Sequence, residues 1–320
     1  MEIVEGIHRI QLPLGDRFVC VYLLVGSEAT LLVDTGLDDT PQTYILPYMQ
    51  AHNLDPAQVR YILSSHSDFD HTAGNRSAVE AFPNALLMCH RLDQAMVEDM
   101  QLILDARYDE FKADHDIFES EAARADMLAV ARTAPVDVAL SGGEVLRLSP
   151  DWHVELWHTP GHSRGHMTVN DPRSGALVIC DATLYHAVLR ADGTPAFPPT
   201  YRYLDAYMAT LGQFEAWQPP YLLTSHYPVY AGVEVEAFLA ASRSFVERTD
   251  RHLRRLLAEA GAPLTMQEII QASSAALGEW PDAAAPALSQ PLAGHLERMV
   301  QHGLLAQGRR EHLITYRWQE

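Results

Sequence analysis

The amino-acid sequence predicts an α/β protein in which two strand-rich halves form a sandwich, with a small helical unit at the C-terminus. Three observations support this fold class. Strand patterns fill residues 6–36, they return between residues 145 and 180, and helical patterns follow each set. From about residue 245 the tail changes to helices that end in a hairpin, which indicates a second, smaller unit.

The first half opens with three strands, IHRIQLPL, FVCVYLLVG and ATLLVDTG, whose short turns predict an antiparallel meander. A helix is expected over residues 41–52. Short buried strands are expected over residues 59–64 and 85–89, with a short helix between them over residues 78–81. The first of these strands ends in the polar run SSHSDFDHTAG, and α/β proteins commonly place their sites after such strand ends.

Residues 92–132 are mostly helical in pattern, contain no Gly or Pro, and are rich in Met, Leu and acidic residues. We interpret them as a helical insertion able to cover a site. The second half then continues with strands over residues 145–148, 154–157, 167–170, 176–180 and 221–224, and with helices over residues 202–217 and 234–260.

The tail carries the signals of a small separate unit. Thr265 and Glu268 have the spacing of a capping box, residues 291–307 predict an amphipathic helix, and LLAQGRREHLITYRW predicts a hairpin. We therefore predict a main domain over residues 1–244 and a winged-helix-like module over residues 245–320.

Composition narrows the classes of function and partner. The 320 residues include 23 basic and 42 acidic ones, a formal charge of −19, which opposes binding to nucleic acid. The basic pair Arg309 and Arg310 is therefore expected to serve packing or homodimer formation rather than DNA binding. Three scattered cysteines and the lack of a long apolar run or basic leader predict a cytoplasmic protein without disulfides or membrane contact.

Histidines and aspartates are concentrated in short stretches that could hold metal ions. The motif HSDFDH brings several potential ligands close together, and a loop can wrap such a set around two adjacent ions. Three more candidates follow, one in TPGHSRGH and two where an apolar strand stops. The complete set is His66, Asp68, Asp70, His71, His162, Asp181 and His226.

This spaced set resembles the metallo-β-lactamase superfamily, whose signature is an HxHxDH loop followed by separate His, Asp and His ligands. HSDFDH corresponds to the loop, and LLVDTG, with Asp34, matches the family's usual third-strand motif. The resemblance covers residues 6–235, and the tail resembles that of the glyoxalase II-like branch. Membership implies a four-layer αββα sandwich, a pair of divalent metal ions and a small-molecule substrate.

The resemblance assigns the ligands residue by residue. The first metal is expected on His66, Asp68 and His162, the second on Asp70, His71 and His226, and Asp181 is expected to bridge them. The family usually has histidine at position 68. With Asp68, two divalent cations are balanced by three carboxylates and a bridging hydroxide, so the cluster is formally neutral. Zinc is the expected metal, although the harder carboxylate shifts the preference towards iron or manganese.

The implied activity is that of a dinuclear metal-dependent hydrolase, in which a metal-bridging hydroxide attacks a small ester-like substrate. Asp70, or else Asp68, is expected to pass a proton to the leaving group. Because a neutral cluster attracts anions weakly, we expect a thioester or lactone ahead of a phosphoester. Tyr185, His186 and Tyr227 are candidate substrate contacts, with ordinary packing as the alternative, and His166 is expected to fix its loop by hydrogen bonding.

Other interpretations stay open at this point. Flavodiiron proteins also have a carboxylate at the position of Asp68, so a non-haem di-iron protein that reacts with oxygen or nitric oxide is one alternative. A metal-binding regulatory protein without turnover is another. A further alternative places Asp68 outside an incomplete first site, with one metal on Asp70, His71 and His226.

Overall fold

A computed structural model describes residues 1–319 of the chain. Two β-sheets pack face to face, and helices cover both outer faces, so that four layers stack in the order αββα. The predicted fold class is confirmed.

The first sheet has seven strands in sequence order: β1 (Glu2–Val4), β2 (Ile7–Leu14), β3 (Arg17–Val25), β4 (Thr30–Val33), β5 (Val59–Leu63), β6 (Leu86–His90) and β7 (Val138–Leu140). Strands β1 to β4 are antiparallel, as the meander predicted, and β4 to β7 are parallel. The sequence pattern does not predict β7, because it is short and two of its three residues are exposed.

The second sheet has the order β15-β14-β11-β10-β9-β8. Its strands are β8 (Glu144–Ser149), β9 (Trp152–His158), β10 (Met167–Asn170), β11 (Leu177–Cys180), β14 (Tyr221–Thr224) and β15 (Tyr230–Ala231). Strands β11 and β14 are parallel, whereas the other neighbours are antiparallel. A separate hairpin joins β12 (Val188–Leu189) to β13 (Pro195–Phe197).

Alternation along the strands explains the layers. In β3, Tyr22 and Leu24 are buried between the two sheets, whereas Val21 and Leu23 pack against helices on the outer face. A strand buried on both faces has no polar alternation, so it reads in sequence as a continuous apolar run.

The outer layers consist of helices from both halves. They are a π-helical turn (Pro41–Ile45) that leads into α1 (Leu46–Ala51), a 3₁₀ turn (Pro56–Gln58), α2 (Phe69–Thr72), α3 (Asn75–Ala81), α8 (Leu204–Trp217) and α9 (Val233–Glu259). The insertion contains α4 (Gln94–Glu98), α5 (Met100–Ile103), a π-helical turn (Leu104–Tyr108), α6 (Lys112–His115) and α7 (Glu121–Ala129). Across residues 1–319, no helix is both long and apolar enough to cross a membrane.

The C-terminal part contains two helices and a small antiparallel sheet. Its elements are β16 (Leu264–Thr265), α10 (Met266–Leu277), a 3₁₀ segment (Asp282–Leu288), α11 (Ser289–Gln301), β17 (Leu305–Arg310) and β18 (Leu313–Trp318), with sheet order β16-β18-β17. The capping box of Thr265 and Glu268 and the terminal hairpin are confirmed. The winged-helix assignment stays a prediction.

The predicted boundary after residue 244 lies inside α9, which is continuous over 27 residues. One apolar cluster joins Phe245 and Leu253 of this helix to Tyr207 of α8 and Leu292 of α11. The module and the main domain therefore share a hydrophobic core at α9, and no linker separates them at the predicted boundary.

The two arginines of the terminal hairpin, Arg309 and Arg310, form ion pairs with acidic residues of the same chain. Arg309 lies 2.9 Å from Asp114 of the insertion, and Arg310 lies 2.7 Å from Glu268. These ion pairs fit the expectation that the pair serves packing.

Candidate metal centre

The polar run of the first half forms a loop and a short helix at the end of a buried strand. Strand β5 ends at Leu63, and Asp68, in an extended conformation, immediately precedes α2. His66 and Asp68 therefore lie on the loop, whereas Asp70 and His71 lie on the helix. Because the backbone changes from loop to helix between Asp68 and Asp70, the side chains of these neighbouring residues can point toward a common centre.

The second sheet supplies the remaining candidates near its strand ends. His162 lies in the turn between β9 and β10, Asp181 directly follows β11, and His226 follows β14. Strands β11 and β14 are parallel neighbours, so Asp181 and His226 leave the sheet at the same edge.

The seven side chains come together in three overlapping groups. In each group, one ligand atom of every member lies within 4.8 Å of the others: His66, Asp68 and His162; Asp70, His71 and His226; His66, His71 and Asp181. Asp181 is central, because its Oδ2 lies 3.6 Å from His71 Nε2 and 3.2 Å from His226 Nε2. Ligands bonded to one ion at about 2.1 Å lie roughly 3–4 Å apart, which these distances match.

In three of the histidines, a hydrogen-bond acceptor at Nδ1 orients the ring so that Nε2 lies on the side of the cluster. The Nδ1 partners are the Asp34 carboxylate for His71 at 2.8 Å, the Phe18 carbonyl for His226 at 2.9 Å and the Thr200 carbonyl for His162 at 3.1 Å. An acceptor at Nδ1 selects the tautomer whose Nε2 is free for a metal. Asp34 is itself fixed, because it accepts hydrogen bonds from the backbone and side chain of Ser65.

Several polar atoms at the centre have no partner within residues 1–319. His66 Nε2, His71 Nε2 and Asp181 Oδ1 are all fully buried and make no hydrogen bond there. Buried polar atoms are normally paired, since an unpaired one costs about 1–3 kcal/mol. Imidazole nitrogens and carboxylate oxygens that face one another without partners are the donor set of a divalent metal, so these residues fit the group that the motif implies.

The charges of the centre depend on one another. Burial lowers the pKa of His71, yet Asp70, Asp34 and Asp181 around it raise that pKa to about 10. Burial raises the pKa of Asp181, but His226 and His71 hold it well below its usual range. A bound divalent cation would supply positive charge beside these carboxylates and would compete with protons for the imidazole nitrogens.

Arg107 of the insertion lies against the group of His66, Asp68 and His162. The π-helical turn of the insertion places it in the interior, where Nε donates to Asp68 Oδ1 at 2.9 Å and Nη2 donates to Oδ2 at 3.3 Å. Nη2 also lies 3.3 Å from His162 Nε2. Burial raises the pKa of Asp68, but Arg107 and His162 hold that pKa well below its usual range. Asp68 and Arg107 thus form a bidentate buried ion pair.

No sequence signal identifies Arg107. It stands in LILDARYDEF, a helical stretch in which arginine is normally exposed. A carboxylate at Asp68 indicates that a compensating cation lies near, but spacing alone does not show which arginine supplies it.

The cluster opens into a cavity of about 360 Å³. The insertion and the C-terminal module both line this cavity, which confirms that the insertion covers the site. Its apolar lining includes Phe69, Tyr108, Phe118, Met127, Phe197 and Pro286. Arg17 also lines the cavity, and its guanidinium lies 4.9 Å from the centroid of the Phe197 ring.

The predicted substrate contacts lie outside the cavity lining. Tyr227 is fully buried, and its hydroxyl donates to the Ala187 carbonyl at 3.0 Å. Tyr185 packs against His186 and stacks on Phe238 of α9. Tyr185 and Tyr227 both contact Phe238 of the helix layer, which fits the packing alternative. A role of Tyr185, His186 and Tyr227 in substrate binding stays a prediction.

The loop that carries His162 is fixed by two further residues. His166 Nδ1 lies 3.2 Å from Thr159 Oγ1, and its Nε2 accepts the backbone N–H of Asp181 at 3.2 Å, so its expected structural role is confirmed. Asp93, at the start of the insertion, accepts the backbone N–H of Gly165 at 2.7 Å. No local sequence pattern identifies Asp93 as a residue of the site.

Comparisons with known proteins identify the family and agree with the fold. A sequence model of the metallo-beta-lactamase superfamily matches residues 14–238. The fold is similar to that of a metallo-beta-lactamase family protein from Thermus thermophilus, with a TM-score of 0.76 and 19% identity over 99% of this chain and 100% of that chain. A beta-lactamase domain protein from Burkholderia ambifaria gives a TM-score of 0.76 and 20% identity over 100% of this chain and 93% of that chain.

A subclass B3 metallo-beta-lactamase of Bradyrhizobium japonicum is similar over 80% of this chain and 95% of that chain, with a TM-score of 0.52 and 20% identity. Identities of this size show a shared fold and do not transfer a substrate. The family model covers more than half of the chain, and its span contains all seven candidate ligands. The protein therefore belongs to the metallo-beta-lactamase superfamily.

Proposed function

We propose that the protein is a dinuclear metal-dependent hydrolase that acts on a small ester-like substrate. The observation that carries this proposal is that His66 Nε2, His71 Nε2 and Asp181 Oδ1 are buried without a partner within residues 1–319. The ligand atoms of these three residues lie within 4.8 Å of one another, beside a cavity that Asp181 lines. The superfamily is generally one of hydrolytic metalloenzymes, which supports the same class of reaction.

The seven residues would hold two divalent ions between them. His66, Asp68 and His162 would hold the first, Asp70, His71 and His226 the second, and Asp181 would contact both. Bound divalent metal supplies Lewis acidity and lowers the pKa of water. Zinc stays the proposed ion, with iron or manganese as alternatives because of the carboxylate of Asp68.

Asp70 is the proposed carrier of the proton that the leaving group needs. Its carboxylate lies 3.6 Å from His226 Nε2 and 3.8 Å from His71 Nε2, and it lines the cavity. A carboxylate in contact with both the cluster and the substrate space can accept a proton on one side and release it on the other.

The cavity supports an ester with an apolar body. Phe69, Phe118 and Phe197 line it above the cluster, and apolar walls of this kind favour hydrocarbon over a hydrated substrate. Acyl thioesters and lactones have such bodies.

The electrostatic reason for ranking a phosphoester last does not hold in the structure. The formal charge of zero was obtained from two divalent cations, three carboxylates and a hydroxide, without Arg107. The Arg107 guanidinium contacts Asp68 directly and adds one positive charge to that sum. The preference for a thioester or lactone therefore rests on the apolar walls, and phosphoesters stay within the proposed range.

Metal analysis and a substrate panel test this proposal. The full chain, purified without added metal, is expected to hold two metal ions and to hydrolyse at least one thioester, lactone or phosphodiester, with activity lost on chelation and regained with zinc, manganese or iron. A chain that binds metal but hydrolyses nothing across the panel contradicts the proposal and favours a regulatory protein. Bound iron whose visible absorption changes on reduction, without hydrolysis, favours a redox protein instead.

A further inference from the structure

We propose that Arg107 is a positioning residue of the first metal position, where it and Asp68 act together as one neutral ligand unit. This inference rests on the proposed hydrolase, because it concerns the group of His66, Asp68 and His162 that would hold the first metal. Arg107 itself is not a ligand, since a guanidinium has no free electron pair to donate.

The guanidinium determines which oxygen of Asp68 faces the metal position. Its Nε engages Oδ1 at 2.9 Å. Asp68 Oδ2 lies 3.0 Å from His162 Nε2 and 3.8 Å from His66 Nε2. Arg107 Nη2 donates to the same oxygen at 3.3 Å. A planar fork fixes both the position and the plane of a carboxylate, which a lysine ammonium does not do.

The pair also sets the charge of the first position. The side chains of Arg107 and Asp68 are only 7% and 13% exposed, so neither charge is well solvated and each needs the other. Together they add no net charge, which is also what a neutral imidazole would add. Removal of either partner alone changes the charge next to the metal, whereas replacement of both by a neutral ligand restores it.

Arg107 is held in turn by the C-terminal module. Its Nη1 donates to Gln290 Oε1 at 3.2 Å, and Gln290 Nε2 donates to the Arg107 carbonyl at 3.3 Å. Within residues 1–319, the polar contacts of Arg107 reach the group of His66, Asp68 and His162 but none of Asp70, His71 and His226. Arg107 is therefore expected to affect one metal position and to leave the other unchanged.

The first experiment measures Zn²⁺ binding of the full chain with Arg107→Met by competition with a chromophoric chelator. Wild-type protein is expected to bind two ions. The variant is expected to keep one ion at wild-type affinity and to bind the other at least about tenfold more weakly, because loss of a residue that orients a ligand typically costs 10–100-fold. Arg124→Met is the matched control, since Arg124 lies in the same insertion but pairs with Asp105 and Asp109.

The second experiment exchanges the pair. Asp68→His alone leaves the Arg107 guanidinium without its carboxylate beside two cations, so the first ion is again expected to bind at least about tenfold more weakly. The double variant Asp68→His with Arg107→Met keeps the net charge of the original pair and supplies a ligand nitrogen. The double variant is expected to bind Zn²⁺ at the first metal position more tightly than Asp68→His alone. A merely structural role for Arg107 would not produce this recovery.

Three results would overturn the inference. They are two Zn²⁺ ions at unchanged affinity in Arg107→Met, equal weakening of both ions, or a double variant that binds no better than Asp68→His. If Arg107→Met does not fold, Arg107→Lys, which keeps the charge but not the fork, must still weaken the first ion. Zinc binding is read without substrate, so a protein that shows this pattern but hydrolyses nothing contradicts the proposed function and leaves the inference standing.

Discussion

The floor and the roof of the cavity are held in place in different ways. The floor consists of Asp68, Asp70, Asp181 and His226, which follow strand ends. The roof consists of residues 107–127 of the insertion and 283–290 of the C-terminal module, whose lining residues come from helices and turns. Sheet register positions the floor, whereas side-chain contacts such as Arg107 with Gln290 connect the roof.

This difference indicates which part supplies chemistry and which part supplies selectivity. A rigid frame of strand ends can keep several ligands in place at once, and loops and insertions above such a frame can differ without disturbing it. We therefore expect changes in the floor to remove metal and turnover. Changes in the roof are expected to alter substrate preference, except at Arg107, which contacts the metal ligand Asp68.

The largest effect is expected from His71→Ala, in the same ligand cluster as the floor residues. His71 belongs to two of the three ligand groups, so its loss should empty at least one metal position and lower hydrolysis at least about a hundredfold, beyond what loss of an outer partner costs. Metal analysis and kcat/KM check this, with circular dichroism to show that the fold is kept. His153→Ala, at an exposed position in β9, is the control. Full metal and activity in His71→Ala would mean that the ligand assignment is wrong.

Asp34→Asn tests how strongly the ligand cluster depends on the hydrogen bond that orients His71. The carboxylate accepts from His71 Nδ1 at 2.8 Å, and its loss frees the ring to turn or change tautomer. We expect metal affinity to fall by about 10–100-fold while two ions still bind at saturating concentration. Chelator competition measures this affinity. An unchanged affinity would show that the strand ends alone hold the ligand.

A smaller effect is expected from Phe118→Ala in the roof. This ring lines the cavity yet is 52% exposed, so its removal takes away only part of an apolar wall. KM for a small ester with an apolar body should rise about threefold to tenfold with kcat nearly unchanged, the pattern of lost uniform binding. Leu128→Ala, another exposed apolar residue of the insertion, serves as control. A loss of kcat instead would assign part of the chemistry to the roof.

The smallest effect concerns the packing of α11 against α9 within the C-terminal module and depends on pH. His295 of α11 and Arg254 hold the pKa of Asp250 in α9 below its usual range. The stabilisation from Asp250 is therefore complete above its unfolded pKa of about 4 and is lost as the pH falls through the lower folded pKa. Asp250→Asn should lower the free energy of unfolding by about 1 kcal/mol or less at pH 7, and by less at pH 3.

Urea unfolding at both pH values measures this difference, with Glu247→Gln on the exposed face of the same helix as control. Equal destabilisation by Asp250→Asn at the two pH values would show that the carboxylate charge does not contribute to the packing of α11 against α9.

The ligand motif was predictable because its information is local. His66, Asp68, Asp70 and His71 are close in sequence, and the later candidates stand beside apolar strands that any packed sheet must bury. The pairing of Asp68 with Arg107 was not predictable in the same way, because the two residues are 39 positions apart and meet only through the folding of the insertion.

The sequence by itself determined the fold class, the seven candidate ligands and the presence of a covering insertion, since residue type, alternation and strand ends encode them. Tertiary structure decided the charge of the first metal position, the cavity lining and the placement of Tyr185 and Tyr227 in the helix layer. Those properties depend on contacts such as Arg107 with Gln290, across 183 residues, and such contacts arise from packing rather than from any local pattern.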